Sequence, residues 1–309
     1  MRFRRVAVIA ALVAVVGATT AAMLPPAPID RPQPMPALSA QALTARYTAN
    51  AHQIVQATSA AKRAGDTSLV RALNGLRGQH FIDFNPLGQG LVVEVVGDLA
   101  TATRVAVLVP GSDTSLATFD SRGTASPDGG AAALAAQVRE LDPGAHLAVI
   151  AWLGYATPTT LSPGVLTSGD ARQGAIALRS FVGALTRDGR QVALLCHSYG
   201  SVVCGLAAAH LPVTDIAVFG SPGMDAASAW SLHSPARVWA CRGTEDWIGN
   251  VPYVQLLGLG FGQDPTDPAF GARIFSCGDA NHSGYFRTGS ISLRNLAYIA
   301  LGDPAGVTR

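Results

Sequence analysis

The stretch between Val192 and Ala209 constrains the fold more than any other part of the chain. An apolar run of β type, 192–196, is followed by His197 and Ser198, a glycine comes two residues later, and the pattern then becomes helical. A strand, a sharp turn and a helix in this order hold a serine side chain at the carboxyl edge of a sheet, with the first helical amides facing it. The stretch therefore predicts a nucleophilic serine, Ser198, on an α/β fold.

The usual form of such a turn is Gly-x-Ser-x-Gly, and Cys196 stands in its first position here. Cysteine is small enough for the strand and the helix to approach closely, so the departure weakens the motif without removing it. An ordinary strand-to-helix turn is the alternative interpretation, and residues farther along the chain decide between the two.

Apolar runs of strand length alternate with helical patterns over most of the chain, and several runs are continuous rather than alternating. Continuous runs suit strands buried on both faces, so the order predicts a mostly parallel, doubly wound sheet. The first two strands form an antiparallel hairpin. The predicted strands are 80–84, 91–96, 104–109, 146–152, 192–196, 215–219, 237–241 and 273–277, and the predicted helices are 129–141, 170–187 with Asp170 as N-cap, 202–209 and 290–301.

The N-terminal region divides into three predicted segments before the α/β domain at 79–309. Residues 1–22 have basic, apolar and small-residue portions in the order of a signal peptide, with an uncleaved membrane anchor as the alternative. Residues 23–38 are proline-rich and predict a semi-extended spacer. Residues 39–78 predict a helical prefix that packs on the domain or holds it off a membrane. We therefore expect export, as a secreted or cell-envelope protein.

Composition limits the classes of partner. Of 309 residues, 49% are hydrophobic and 14% are charged, which favours a large packed core over disorder. Three of the 22 basic residues lie in the leader, which leaves 19 against 20 acidic residues. The remaining chain is nearly neutral, so it gives no reason to expect nucleic acid as a partner. Oligomeric state is left open.

Three chemically matched residues each follow a predicted strand: Ser198, Asp246 and His282. Their chain order of serine, acid and histidine is the order found when a triad is mounted on this kind of sheet. A serine hydroxyl needs a base with a pKa near 7, and the imidazole needs a carboxylate to orient it. Asp225, after the preceding strand, is the alternative acid. His197 adjoins the serine and is expected to line a pocket or to pack beneath the turn.

The predicted oxyanion hole takes one amide from Tyr199, the residue after the serine. The second donor comes from the loop after the strand 104–109, where Gly111 or Ser112 is available. A plain turn is the alternative role for this loop.

Four cysteines allow three complete pairings. Cys241 and Cys277 end two consecutive predicted strands, so a bond between them would brace the acid and histidine loops. Cys196 with Cys204 is a further pairing, with two buried thiols as its alternative. The sequence has neither a metal-ligand pattern nor a phosphate-binding loop in a strand-to-helix setting, so we expect neither a metal nor a cofactor.

With these residues assigned, the chain resembles the α/β-hydrolases, and more narrowly an actinobacterial family of that fold long catalogued as a domain of unknown function. The resemblance implies the α/β-hydrolase fold and a triad at Ser198, Asp246 and His282; it does not imply a substrate. The matching pieces are Phe84-Asn85-Pro86-Leu87-Gly88-Gln89-Gly90, Gly97-Asp98-Leu99, Val107-Leu108-Val109-Pro110-Gly111, Cys196-His197-Ser198-Tyr199-Gly200-Ser201, Gly220-Ser221-Pro222-Gly223-Met224 and His282-Ser283-Gly284-Tyr285.

The sequence thus predicts an exported serine hydrolase, an esterase or lipase-like enzyme acting on a small-molecule or lipid ester through an acyl-enzyme. The loop 154–169 and the segment 258–270 are candidates for a lid or an acyl-binding wall, with plain surface loops as the alternative. Two other functions stay open. One is a peptidase or acyltransferase using the same triad, and the other is a non-catalytic envelope protein on the same fold.

Overall fold

The computed structural model describes residues 38–120, 123–253 and 259–309. The predicted leader and all but the last residue of the predicted spacer lie outside these residues. Within them, no helix has both the length and the apolar character needed to cross a bilayer.

The described residues contain the strands β1 (His80–Asn85), β2 (Leu91–Val96), β3 (Arg104–Val109), β4 (Leu147–Leu153), β5 (Gln191–His197), β6 (Asp215–Phe219), β7 (Gly223–Ala226), β8 (Arg237–Cys241), β9 (Phe261–Gly262) and β10 (Arg273–Ile274). A mixed sheet at the centre of the molecule is built from eight of these described strands, in the order β1-β2-β4-β3-β5-β6-β8-β10. In this sheet β1 pairs antiparallel with β2, β2 pairs antiparallel with β4, and all other neighbours are parallel.

Helices cover both faces of this sheet, which explains the continuous apolar runs. The helices of the described residues are α1 (Leu43–Arg63), α2 (Thr67–Gly75), α3 (Pro127–Leu141), α4 (Gly169–Thr186), α5 (Gly200–Ala207) and α6 (Ile291–Leu301). One face of the sheet carries α4 and α5, and the other carries α3 and α6. Strands between two helical layers need apolar side chains in both directions, and every residue of 105–109 is buried. The doubly wound, mostly parallel sheet is confirmed.

The helical prefix packs on the antiparallel edge of the sheet. Asn50 of α1 is fully buried, and its side-chain amide donates to the carbonyl of Phe81 in β1 at 2.8 Å. Leu73 and Leu76 of the second helical segment lie in the same apolar core as the sheet. Because these contacts bury apolar surface against β1, the prefix is part of the folded domain.

Some local predictions were wrong. Asp170 lies in the first turn of α4 rather than at its N-cap, because the helix begins at Gly169 with Ser168 at the cap position. The last predicted strand is shorter than expected: β10 ends at Ile274, and the amide of Ser276 pairs with the carbonyl of Thr308 instead. The parallel pair of β7 and β9 was not predicted.

Candidate active site

Ser198 occupies the turn between β5 and α5 in a left-handed backbone conformation, with a φ of 52°. A serine rarely adopts this conformation, and the surrounding contacts hold it there. Its amide donates to the carbonyl of Phe219 at 3.1 Å, and its carbonyl accepts from the amide of Ser201 at 2.9 Å. The predicted strand, sharp turn and helix are therefore present, with the serine at the apex.

Gly200 is required at this turn by the close approach of β3. A Cβ atom at Gly200 would lie 2.4 Å from the carbonyl oxygen of Val109 and 2.7 Å from that of Pro110. Both neighbours are backbone atoms, so neither can move aside as a side chain would. Glycine alone lets the start of α5 come this close to the end of β3.

A continuous hydrogen-bonded chain joins Ser198, His282 and Asp246. The Nε2 atom of His282 lies 2.9 Å from the Oγ of Ser198, and its Nδ1 lies 2.9 and 3.1 Å from the two carboxylate oxygens of Asp246. An ionised carboxylate can only accept, so the proton of a neutral imidazole lies on Nδ1 and Nε2 is left to accept from the serine hydroxyl. The three residues predicted to act together are thus in contact, in the orientation that general-base catalysis needs.

Asp246 is held as an anion by its hydrogen bonds. Its side chain is completely buried, and besides His282 it accepts from the Ile248 amide at 2.9 Å and the Tyr285 hydroxyl at 2.5 Å. Burial by itself raises the pKa of this carboxyl, but the hydrogen bonds from His282, Tyr285 and Ile248 outweigh it, and the net pKa lies below the usual value. A negative charge beside Nδ1 stabilises an imidazolium at His282.

Tyr285 links this carboxylate to the preceding loop. Its hydroxyl donates to Asp246 and accepts from the amide of Gly243 at 3.2 Å. Burial, and then the neighbouring carboxylate, raise the pKa of Tyr285 well above its usual value, so the hydroxyl keeps its proton. The tyrosine therefore acts as a permanent donor to the acid.

Two further rings contact the imidazole of His282. The ring of Trp247 lies 4.6 Å from it and the ring of His197 lies 4.8 Å from it, measured between centroids. The Nε2 of His197 donates to the backbone carbonyl of His282 at 2.7 Å. Burial, followed by the adjacent His282, lowers the pKa of His197 to about 3, so His197 stays neutral.

Gly220 gives the acid and the histidine room to meet. Its φ is 56°, and a Cβ atom there would lie 2.9 Å from a carboxylate oxygen of Asp246 and 3.3 Å from the Cε1 of His282. A side chain at this position would therefore combine backbone strain with a clash at the hydrogen-bonded chain.

The residues predicted for the oxyanion hole lie next to the serine. A Cβ atom at Gly111 would lie 2.6 Å from the Cβ of Ser198, so the loop after β3 is packed directly against it, and Ser112 lines the same cleft. Tyr199 follows the serine at the start of α5; its hydroxyl donates to the carbonyl of Thr167 at 2.7 Å. Donation to an oxyanion from these amides stays a prediction.

The alternative acid does not take the place of Asp246. Asp225 lies on β7, and the carboxylate in contact with His282 is that of Asp246.

Both cysteine pairs are joined by disulfide bonds. One bond connects Cys241 with Cys277, so it ties the strand before the Asp246 loop to the segment before His282.

The other disulfide, Cys196–Cys204, connects the strand before Ser198 with the helix after it. Among the described residues, no group of three histidine, cysteine or acidic side chains is arranged to hold a metal ion.

A cleft of about 780 Å³ opens over Ser198 and His282. This volume lies within the usual range for small-molecule sites. Both loops singled out in the sequence supply part of its lining, Leu166 from the first and Leu259 and Phe261 from the second; residue 258 itself lies outside the described residues. Trp247 and several of the residues after it also line the cleft.

Sequence reasoning did not assign roles to Tyr285, Trp247 or Gly220. Tyr285 lies in a motif that the resemblance contains, but nothing in its spacing indicates a bond to Asp246. Trp247 directly follows the acid, and Gly220 directly follows β6; each of these is also a common structural position. Only the folded geometry distinguishes them.

Comparison with known proteins identifies similar chains. A family model described as alpha/beta hydrolase matches residues 85–256. The uncharacterized protein Rv2079 of Mycobacterium tuberculosis is 33% identical over 250 residues, which cover 70% of this chain and 37% of that protein. The uncharacterized protein Mb0988c of Mycobacterium bovis is 34% identical over 182 residues, which cover 56% of this chain and 66% of that protein.

The chain thus spans little more than a third of the length of the first of these relatives. Among solved structures, the chain is similar to dienelactone hydrolase from Anabaena variabilis, with a TM-score of 0.46 and 16% identity. That match covers 75% of this chain and 97% of the other.

Proposed function

The protein belongs to the alpha/beta hydrolase family, and we propose that it is a serine hydrolase that cleaves carboxylic esters through an acyl-enzyme. The observation that carries this proposal is the hydrogen-bonded chain Ser198–His282–Asp246, of which Ser198 and His282 line a cleft. A serine hydroxyl within hydrogen-bond distance of an imidazole that is itself backed by a buried carboxylate is arranged for nucleophilic attack.

The proposed reaction has two halves. In the first, Ser198 Oγ attacks the ester carbonyl carbon while its proton passes to His282 Nε2. The bond from that carbon to the alcohol oxygen then breaks, and His282 gives the proton to the departing alcohol. In the second, a water molecule loses a proton to His282 and attacks the acyl-enzyme, which releases the carboxylic acid and returns the proton to Ser198.

Charge stabilisation is divided between two groups of residues. Asp246 carries a full negative charge next to Nδ1, which favours the imidazolium formed in each half-reaction. The amides of Tyr199 and of the Gly111–Ser112 loop are the proposed donors to the oxyanion, because both segments adjoin Ser198. His197 remains neutral beside His282, so it adds no positive charge to oppose the imidazolium.

Export is part of the proposal. It rests on the signal-like residues 1–22 and on the two disulfide bonds, since disulfides persist in oxidising compartments. The nearly neutral mature chain and the apolar cleft favour an uncharged ester or lipid over nucleic acid as the partner.

Labelling of the full-length protein by a fluorophosphonate probe tests the proposal. Wild type should be labelled, Ser198→Ala should not, and His282→Ala should be labelled far more slowly. Ser283→Ala removes another hydroxyl at the same cleft and is the matched control, which should label like wild type. Absence of labelling in folded wild type, or equal labelling in Ser198→Ala, would overturn the serine-hydrolase assignment.

Product analysis separates the hydrolase from an acyltransferase. A labelled ester is supplied in water with a competing alcohol or amine, and release of free acid as the main product supports the hydrolase. Transfer of the acyl group to the acceptor in preference to water would contradict it.

A further inference from the structure

Three large apolar side chains that line the cleft are exposed. Leu166 is 54% exposed, Leu259 is 53% exposed and Trp247 is 51% exposed, and all three line the cleft. Leu166 and Leu259 come from separate loops that meet there, because the amide of Gly260 donates to the carbonyl of Leu166 at 3.0 Å. Exposed apolar surface concentrated around a concave site indicates a ligand that covers it.

The charge of the lining restricts that ligand further. Among the described residues that line the cleft, Asp113 is the only acidic side chain, and lysine and arginine are absent. The carboxylate of Asp113 already binds the amide of Thr160 at 2.9 Å. A substrate with a carboxylate or phosphate beside its ester would find no cationic partner on this lining, so the cleft suits an uncharged, apolar chain.

The lining divides into two walls with different neighbours. We define the acyl wall as Val165, Leu166, Leu259 and Phe261, and the alcohol wall as Trp247, Ile248, Val251 and Pro252. The acyl wall adjoins Tyr199, whose ring meets that of Phe261 edge to face at 5.5 Å. The alcohol wall adjoins His282, whose ring lies 4.6 Å from that of Trp247.

The tetrahedral intermediate fixes which part of the substrate faces which wall. Its carbon carries the Ser198 oxygen, the oxyanion, the leaving oxygen and the acyl chain. The leaving oxygen must receive its proton from His282, so the alcohol lies on the side of the alcohol wall. The oxyanion points at the amides next to Ser198. The acyl chain is the one remaining substituent of the carbon, and we place it along the acyl wall.

We propose that the cleft selects esters of medium-length or long, uncharged acyl chains, with the chain held along Leu166 and Leu259 and the alcohol against Trp247. This inference rests on the proposed serine-ester hydrolase function. The acyl chain stays on the acyl wall after the alcohol leaves, bonded to Ser198, until water releases it.

A series of p-nitrophenyl esters from acetate to hexadecanoate, assayed with the full-length protein, measures the chain-length dependence. Each methylene buried against the acyl wall should raise kcat/KM by about fourfold, the ratio that corresponds to about 0.8 kcal/mol, until the chain outgrows the wall. The profile should therefore rise steeply between butyrate and longer chains.

Variants assign the two parts of the substrate to their walls. Leu166→Ser combined with Leu259→Ser should lower the ratio of kcat/KM for decanoate to that for butyrate by about tenfold, because apolar area is lost from the acyl wall. Ile176→Ser, a change at an equally exposed residue of α4 at 55% exposure, is the matched control and should leave the ratio unchanged. Trp247→Ser should alter the ratio between ethyl and octyl esters of one acid, with little change in the acyl-length ratio.

The outcomes separate this inference from the proposed function. Hydrolysis that depends on Ser198 but shows a flat chain-length profile, or a profile that the leucine variants leave unchanged, overturns the acyl-wall inference and leaves the hydrolase standing. Absence of any Ser198-dependent hydrolysis or probe labelling overturns the proposed function, and the inference falls with it.

Discussion

Replacement of Tyr285 by phenylalanine tests how far the acid depends on its buried donor. The hydroxyl of Tyr285 is 2.5 Å from a carboxylate oxygen of Asp246, whose side chain is completely buried. The ring itself is 1% exposed, so phenylalanine fills the same space and only the hydroxyl is removed. The substitution therefore removes two hydrogen bonds and little else: the bond that the hydroxyl donates to the charged Asp246, and the bond that it accepts from the amide of Gly243.

The expected cost follows from these two contacts. A hydrogen bond to a charged group contributes about 1.5 to 3 kcal/mol, and a buried amide left without an acceptor costs about 1 kcal/mol or more. We expect the free energy of unfolding at pH 7 to fall by about 3 kcal/mol, which lowers Tm by about 6 to 12 °C in a domain of this size. Loss of orientation at Asp246 should also lower kcat about tenfold, a change of about 1.4 kcal/mol.

The pH dependence has a definite sign. The folded pKa of Asp246 is depressed, so its stabilising contribution is present above the unfolded value near 4 and is lost as the pH falls through the folded pKa. Tyr285→Phe moves the folded pKa back toward the usual value. The stability difference between wild type and Tyr285→Phe should therefore shrink as the pH is lowered below about 4.

Urea unfolding of Tyr285→Phe, Asp246→Asn and the double variant measures the coupling directly. Tyr155→Phe is the matched control, because Tyr155 is also buried but its hydroxyl donates to a neutral carbonyl, that of Pro110, at 2.8 Å. It should cost about 1 kcal/mol. The reasoning about a charge-assisted bond is refuted by two results together. One is that Tyr285→Phe lowers the free energy of unfolding no more than Tyr155→Phe does, and the other is that its coupling energy with Asp246→Asn stays below about 0.5 kcal/mol.

Three further perturbations test other parts of the structure. Gly220→Ala places a methyl group 2.9 Å from the carboxylate of Asp246, at a residue whose φ is positive. We therefore expect the rate of probe labelling to fall at least about tenfold and Tm to drop. Unchanged labelling would contradict the packing described around Gly220. Burial and a neighbouring carboxylate raise the pKa of Glu94 to about 8. The folded pKa of Glu94 exceeds its unfolded value near 4.5, so ionisation of Glu94 progressively lowers the stability of the folded protein from about pH 4.5 to pH 8. Glu94→Gln should therefore flatten the slope of unfolding free energy against pH over that window. An unaltered slope would contradict the raised pKa of Glu94. Replacing Cys241 and Cys277 together by serine should cost about 2 to 4 kcal/mol in urea unfolding, and equal stability with and without the bond would contradict a bracing role.

The inner strands β3 and β4 could be predicted because both are buried on both faces. The apolar run 104–109 coincides with β3, and the run 146–152 differs from β4 by one residue at each end. The end of β10 could not be predicted in this way. The amide of Ser276 pairs with Thr308 of the C-terminal tail, and local composition does not carry such a long-range partner.

The short pair of β7 and β9 was missed for a different reason. The second of these strands is two residues long, and its partner contains a glycine at a φ of 131°. Segments this short carry no measurable alternation of apolar and polar residues. Their pairing depends on the loops that bring Gly223 and Phe261 together, which the sequence does not encode locally.

The three principal residues of the candidate site could be predicted, but the contacts that orient them could not. Parallel strands end at one edge, so a serine, an acid and a histidine that each follow a strand are expected near one another even when 84 residues separate Ser198 from His282. The contacts that orient these three residues do not follow from the positions of strand ends. Tyr285 acts through its hydroxyl and Gly220 through the absence of a side chain, and the short motifs that contain them do not indicate either role.

His197 shows why a second histidine can stand beside the proposed base without competing with it. A histidine next to His282 with an ordinary pKa would share the proton and would repel the imidazolium formed during reaction. Burial lowers the pKa of His197 to about 3, and its Nε2 proton is directed at the backbone carbonyl of His282 rather than at the serine. The same ring therefore holds the backbone of His282 while remaining neutral, so in the proposed reaction the proton from Ser198 has one acceptor.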